Sequence, residues 1–588
     1  MNLRVVINTY SKSLVHFAFF LVFLCVNATA QKYKLLVHSS GKDSTVQQFN
    51  VIHTAFPDSA HCMAYIHSLP SILYDKGFIA ASVDSLIATS TTAEVWLYFG
   101  PFYQGLNIKY DSSTLVMSFK QYSNFREHIL NQYLSAGHPF VTLQLSNVEL
   151  INDFVYGRLT VNPGPLYHID SLRIFGKLNI KKSFLYRYLS LQPGNIYDLH
   201  KIENVQKKLL ELPFAHQLQK PDVTMLGTGA VLNVYADNKK SSQLSALIGL
   251  LPQSNNGHLR LTADVNMNLV NALHSGESII LNWQQLQQLS PKLNLGYIQP
   301  FIFNSLTTFD SKFDLFKKDS SYVLLVGRAA LATEISEKQS ANIFFQASRS
   351  YLLQGAIDTN LIRITKKLPS NIDYSLSQFG VGYHFINTDY AITPRRGTNL
   401  TVTAAAGIKK FNINNDIVNL KDPVAPTYNF KTLYDSINNN HYQINIDMSL
   451  EHYSPLNHRS VLKLALKSAL IQSSQLFKNE AFIIGGYRIL RGFDEESIYA
   501  TKYAVITSEF RYLTGINSFL YFFNDIGFTE SKYQSINNNH NYVSIGSGVS
   551  FETKYGLLNV SYALGNRNDI PFNLTNASKI HFGFLSYF

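Results

Sequence analysis

Two cysteines in 588 residues are too few to build a disulfide framework. One of them, Cys25, falls in an apolar leader, so processing would leave Cys62 without a partner, to be read as a small buried apolar residue. Tryptophan is equally scarce, at 2 against 35 Tyr and 40 Phe, and charged residues make up only 15%. The 18 histidines are scattered, HExxH and G-x-S-x-G are missing, and there is no phosphate-cradling glycine loop. The chain is therefore read as no enzyme, with no cofactor and no metal site. No segment past the leader approaches the roughly 18 apolar residues that a membrane helix needs.

What is present begins with that leader. Arg4 and Lys12 precede the mostly apolar run Leu14 to Val26, and Ala28-Thr29-Ala30 has the small-x-small pattern of a signal-peptidase site. Residues 1–30 are read as a signal peptide. Leu24 before Cys25 argues against a lipoprotein. An exported chain without a membrane helix can span a bilayer only as a closed β-barrel. The net charge of +11 suits anionic headgroups or acidic clients, and lysines and arginines facing a lumen explain it equally well.

Two regions differ in pattern. From Gln31 to Tyr235 helix-like and strand-like periods mix, and a unit recurs in which an amphipathic helix ends at glycine, an aromatic follows, and two strands lead into Gly-Pro and then Tyr. One copy has Gly77, Phe78 and Gly100-Pro101-Phe102-Tyr103; the next has Gly137, Phe140 and Gly164-Pro165-Leu166-Tyr167; a third starts with Ile169 to Ile174. These predict α/β domains at 31–103, 104–167 and 168–236. Residues 237–588 instead alternate with period two. Tyr442, Ile444, Ile446, Met448 and Leu450 oppose Gln443, Asn445, Asp447, Ser449 and Glu451, and Val543, Ile545, Val549 and Phe551 oppose Ser544, Gly546, Gly548 and Ser550. Such runs are longer than sandwich strands and suit the roughly nine to eleven residues that cross a bilayer on a tilt. At about 22 residues per strand and loop, the region predicts sixteen antiparallel strands. The polar insertions Asn412 to Asn440 and Ser535 to Asn541, both containing SINNNH, are read as outward loops.

Near the C-terminus, Gly485 to Phe493 reads GGYRILRGF, followed by a strand with Glu509 (VITSEFRYL) and another with Asp525 (FFNDIGF). Alternation puts both carboxylates on the lumen side. Taken alone, Gly492 would serve any tight turn and Arg491 could be one more solvated lumen cation. The ensemble, however, resembles the C-terminal signature of the BamA/TamA superfamily of outer-membrane assembly and translocation proteins. Gly485, Gly486, Arg491, Gly492 and Phe493 stand at its RGF loop, and Phe523, Asp525 and Gly527 at its F-x-D-x-G strand. The resemblance implies that the loop folds back into the barrel and that Arg491 binds Asp525 and Glu509. The repeats are similar to POTRA domains of β-α-α-β-β order, with Ile169 to Ile202 the clearest copy. Asn268 to Trp283 resembles the family's early strands and Thr393 to Leu400 (TPRRGTNL) its mid-barrel turn. Phe582, Phe584 and Phe588 share a phase with Ile580, like an outer-membrane assembly signal, which Ser586 interrupts.

By this resemblance the fold is tandem α/β POTRA domains followed by a transmembrane β-barrel, closest to the shorter, TamA-like form, with the barrel in the outer membrane and the POTRA domains in the periplasm. The implied partners are unfolded outer-membrane or secreted polypeptides, outer-membrane lipid, and an accessory protein of the periplasm or inner membrane; no nucleic acid is expected. The implied activity is insertion or passage of clients at a weak seam between the first and last strands, around Leu244 to Leu250 and Ile580 to Phe588, with Gly583 weakening it. A two-partner-secretion transporter of one dedicated exoprotein is the alternative reading, and a porin-like channel a third.

Overall fold

The computed structural model describes residues 33–39, 52–227, 229–252, 259–287, 289–390, 392–437, 440–553 and 556–585; the leader at 1–30 and Phe588 lie outside them. Three small α/β units precede one large sheet.

In the first unit, β1 (Tyr33–Ser39), β2 (Ala55–Phe56), β3 (Ser82–Ala88) and β4 (Thr92–Tyr98) form a sheet of order β2-β1-β4-β3, with β1 and β4 parallel. The helix Ser59–Asp75 covers it. Asp58 caps that helix by accepting from the His61 backbone N–H, and Cys62, Ile66, Leu69 and Leu73 form its buried stripe against Leu35, Val95 and Leu97. The second unit pairs β5 (Gly105–Tyr110), β6 (Ser113–Met117), β7 (Thr142–Ile151) and β8 (Phe154–Asn162) in the order β6-β5-β8-β7, under the helix Phe119–Ser135. A capping box between Ser118 and Gln121 starts this helix.

The repeat is geometric as well as sequential. Gly77 and Gly137 end the two helices at φ +103° and +97°, where a Cβ would strike Tyr103 O at 2.2 Å in one copy and the Ile196 and Leu166 side chains at 2.6 Å in the other. Each glycine carbonyl accepts from the equivalent tyrosine N–H, Tyr103 at 3.0 Å and Tyr167 at 2.8 Å. In one respect the second unit departs from the β-α-α-β-β order that the resemblance implies. After a turn at Asp111 (φ +53°), the short β-prone stretch STLVM forms strand β6 where the first helix would stand.

The third unit has β9 (His168–Phe175), the helices Lys182–Tyr188 and Leu199–Glu211, β10 (Ala215–Gln217), β11 (Asp222–Leu226) and β12 (Gly229–Asn238). Its sheet runs β10-β12-β11, with β9 also on β12.

The large sheet has the sixteen strands that the alternation predicts. Its first half comprises β13 (Gln243–Pro252), β14 (Leu259–Val270), β15 (Ser278–Gln287), β16 (Ser290–Gln299), β17 (Thr307–Lys318), β18 (Tyr322–Ser336), β19 (Gln339–Leu352) and β20 (Tyr374–Ile386). The second comprises β21 (Gly397–Phe411), β22 (His441–Asn457), β23 (Ser460–Ser473), β26 (Lys502–Leu513), β27 (Phe519–Tyr533), β28 (Ile536–Thr553), β29 (Gly556–Arg567) and β30 (Ser578–Leu585). The short β24 (Phe482–Ile484) and β25 (Ile498–Ala500) pair only with each other, inside the loop between β23 and β26. Every sheet neighbour is antiparallel, so turns alternate between two ends.

The faces of this sheet are inverted relative to a soluble one. Along β27 the odd positions from Phe519 to Tyr533 are mostly buried while Leu520, Phe522 and Phe528 are exposed; along β28 Val543 and Ile545 are exposed while Ser544 and Ser550 are buried. An outward apolar wall around a polar interior is the surface of a transmembrane barrel, because lipid rather than water solvates the outside.

One end of the barrel meets the third unit. Lys181 N–H donates to His274 O in the turn after β14, and Phe184 packs on Phe301 in the turn after β16, 5.3 Å between ring centres. At the other end the long connections fold on one another. Ile362, Ile372, Ile417, Phe430, Tyr434 and Phe477 form a buried core there, so the stretch from 412 to 437 is part of a packed cap rather than a plain outward loop. The stretch from 535 to 541 is not a loop at all. A tight turn at Gln534 (φ +49°) lets β28 continue the ladder as far as Tyr533 opposite Ile536, which gives the asparagine backbones partners. Ser436-Ile437 of the first SINNNH thus ends a 3₁₀ turn, whereas Ile536 to His540 of the second is strand.

Candidate functional site

The connection from Ser474 to Thr501 enters the barrel interior and is fastened at three levels. Its entry is held by a buried ion pair, Lys409 Nζ to Glu480 Oε2 at 2.5 Å, with Lys409 also donating to Gln475 O and Glu480 accepting from Phe477 N–H. Beside it Asn479 donates to Ser350 Oγ and Ile372 O at 2.8 Å each. The β24–β25 ladder then carries the chain inward.

Two consecutive glycines turn it at the tip. Gly485 and Gly486 have φ +109° and +89°, and a Cβ on Gly485 would meet Asp494 O at 2.5 Å. Here Arg491 forks onto Asp525, Nε to Oδ2 at 2.9 Å and Nη2 to Oδ1 at 2.7 Å, while Nη1 donates to Glu509 Oε2 at 2.6 Å. The Arg491 backbone N–H adds a bond to Asp525 Oδ2, and Thr507 Oγ1 donates to Oδ1. The guanidinium carbon lies 3.5 Å from the centre of the Phe523 ring. Arg491, Glu509 and Asp525 are 7%, 6% and 1% exposed. Planar bidentate donation to carboxylates is what a guanidinium does better than an ammonium, and it fixes direction as well as distance.

The remaining residues singled out from the sequence surround this fork. Gly492 packs on Gly565 of β29 and its N–H donates to His581 Nε2 on β30 at 2.9 Å. Phe493 meets Tyr542 edge-on, and Gly527 leaves room for Leu490. Gly583 sits under the Tyr487 ring, so a side chain there would displace the loop. Phe582 is exposed on the lipid side, Phe584 pairs with Leu558 in the backbone ladder, and its side chain is outside the described residues, as is Phe588.

Other participants were not singled out. Arg511 Nε donates to Glu509 Oε1 at 2.8 Å, so the two arginines face two carboxylates and the cluster is balanced. Its signal was available, since Arg511 is two residues from Glu509 and shares its phase. Glu496 pairs with Lys292 of β16 and Lys318 of β17, and Asp494 pairs with Lys579 of β30 at 2.7 Å. The tip therefore bridges strands from both halves of the sheet. Among the described residues no ladder joins β13 to β30, the two terminal strands.

A family model for the Omp85 superfamily domain matches residues 271–584, more than half of the chain, and takes in the loop, both carboxylate strands and the last strand. The chain belongs to the Omp85 superfamily. Among solved structures, BamA from Haemophilus ducreyi lacking POTRA domains 1–3 is similar in fold, with a TM-score of 0.51 at 15% identity, covering 82% of this chain and 98% of that one. CdiB from Acinetobacter baumannii aligns over 96% of this chain and 91% of its own at 12% identity, with a TM-score of 0.48. Among curated proteins none matches the sequence. As an Omp85 protein, the chain has α/β POTRA-like domains followed by a sixteen-stranded barrel, with an arginine of the inserted loop bound to the inner wall.

Proposed function

We infer that this Omp85 protein is an outer-membrane assembly or translocation factor, receiving unfolded polypeptides through its N-terminal domains in the periplasm and inserting or passing them at the edge between β13 and β30. The observation that carries this reading is the sheet's pair of terminal strands, unjoined among the described residues, with the last strand gripped from inside by the loop tip through His581 and Lys579. A strand edge within a membrane presents main-chain groups that lipid cannot satisfy, each at a cost of several kcal/mol, and a client strand can satisfy them. Client capture before that step needs an exposed sheet edge. β7 is such an edge, ten residues long with Val148, Leu150 and Ile151 exposed. The client's own burial and pairing drive the step downhill, and no catalysis on a small molecule is involved.

Three α/β units suit the shorter, TamA-like arrangement. The test is site-specific crosslinking of stalled clients to β13 and β30, with an inventory of the membrane proteins that vanish on depletion. Many nascent barrels captured at both strands support an insertase. A single captured exoprotein would replace that reading with dedicated secretion, and no capture at either strand would remove the edge from the mechanism.

A further inference from the structure

The turn that carries TPRRG has no part in the loop lock, yet it builds a cavity of 430 Å³ together with two other turns at the barrel end that meets the third α/β unit. Arg395 comes from the turn between β20 and β21, His458 and Arg459 from that between β22 and β23, and Tyr512 and Thr514 from the end of β26 and the turn after it. Among the described residues, none of the three basic side chains is in an ion pair. The Asp389 carboxylate accepts the backbone N–H groups of Arg395 and Arg396 at 2.9 and 3.1 Å, and Glu552 accepts from Asn517 at 2.9 Å.

The three turns are held as one piece. Buried Thr393 donates to Asn517 Oδ1 at 2.8 Å and to Ile516 O at 3.2 Å, and Leu513 N–H donates to Arg459 O at 2.7 Å. The cations are thus presented on a fixed frame, which lowers the entropy lost when an anion binds. Tyr512 of the lining is 43% exposed, and Leu456 and Ile516, close in sequence to His458 and Gly515 of the lining, are 56% and 72% exposed. A cationic cup opening directly onto lipid-facing apolar surface selects an amphiphile with an anionic head and an apolar tail. A soluble anion would leave the apolar flank unused, and a peptide carboxylate would not follow it into the membrane.

We propose that Arg395, His458 and Arg459 bind the phosphate of a phospholipid headgroup in the leaflet at this end of the barrel, with an acyl chain lying along Tyr512, Leu456 and Ile516. Two guanidiniums can each offer two N–H groups to phosphate oxygens, and the charge attraction is strengthened at the edge of a low-dielectric medium.

The test uses the full chain, delipidated in detergent and titrated with phosphatidylglycerol under native mass spectrometry. The expected result is one retained lipid per chain, bound roughly tenfold more weakly by Arg395→Gln/Arg459→Gln, as loss of two charge-assisted contacts predicts. Lys431→Gln, in the cap at the opposite end, should bind as the wild type does. Folding of each variant is read from heat-modifiable migration. Should the double variant not fold, Arg395→Gln and His458→Gln are read singly, each expected to weaken retention about threefold. Equal retention by the wild type and the glutamine variants overturns the proposal. Inorganic phosphate binding as tightly as the lipid overturns it too, leaving a site for a soluble anion.

Discussion

β4 and β28 have the same two-residue period and opposite physics. In β4 the apolar Ala93, Val95 and Leu97 are wholly buried, packed beneath the helix Ser59–Asp75. In β28 the apolar Val543 and Ile545 are about half exposed, at 48% and 55%, while Ser544 at 1% and Ser550 at 3% face the interior. Alternation states that a strand has two faces; it does not state which one is buried. The solvent decides that, water around the α/β units and lipid around the barrel. Polar groups consequently share the barrel interior with aromatic ones such as Phe519, Tyr521 and Phe523, and the Arg491 cluster helps hold there what Leu97 and its neighbours hold in the first unit.

That contrast can be broken at its strongest point. Arg491→Ala leaves Asp525 without its guanidinium in a sheltered site, while Glu509 keeps Arg511, with an expected loss of about 3 to 5 kcal/mol. The checks are the temperature at which the barrel loses heat-modifiable migration and the insertion of test barrels in liposomes; an unchanged midpoint with undiminished insertion would remove the role given to the loop. The counterpart in the first unit is Leu97→Ala, expected to cost roughly 2 to 5 kcal/mol by opening a cavity. Limited proteolysis should report that loss in the N-terminal domain while barrel migration stays as it was.

The outward face offers a third probe. Ile545→Lys puts an ammonium against lipid and should weaken assembly by roughly 2 to 4 kcal/mol if the site is near the midplane. Normal folding yield in vesicles would contradict an outward lipid-facing β28.

The smallest effect concerns the junction of the first two units, where Tyr74 meets Phe119 edge-on and Asp75 accepts from Lys120 Nζ and Ser123 Oγ, both at 2.9 Å. Partial burial would raise the Asp75 carboxyl, but the Lys120 and Ser123 bonds outweigh it and hold it below the usual carboxylate value. A depressed folded-state value means that the bond's stabilisation is present above the unfolded value of about 4 and disappears as pH falls through the folded one. Because Lys120 is largely exposed, the loss should be only about 0.2 to 1 kcal/mol, measurable as a slightly lower melting point of the N-terminal region on acidification that Asp75→Asn abolishes.

How much could be read beforehand follows the same division. Strand number and the inward phase of Glu509 and Asp525 were legible because period two survives over twelve- to eighteen-residue strands such as β26 and β28. The helix-ending glycines were legible because a left-handed backbone at Gly77 and Gly137 admits few other residues. The cap was not, since Ile417, Phe430 and Phe477 share a core only through tertiary packing and follow no common period. Lys409 and Glu480, 71 residues apart, carry no local sign of each other. The second SINNNH shows the limit most directly, because the same isoleucine ends a 3₁₀ turn at Ile437 and lies in a strand at Ile536, where a neighbouring strand pairs with it.

The loop tip touches β30 at Lys579, His581 and Gly583, three alternate residues of a single face. A shift of that strand by one residue would carry all three outward and bring Ile580 and Phe582 into the polar interior. Sliding is therefore permitted only in pairs of residues, steps of about 6.7 Å, so the inserted loop serves as a register gauge that keeps the last strand correctly indexed against its neighbour.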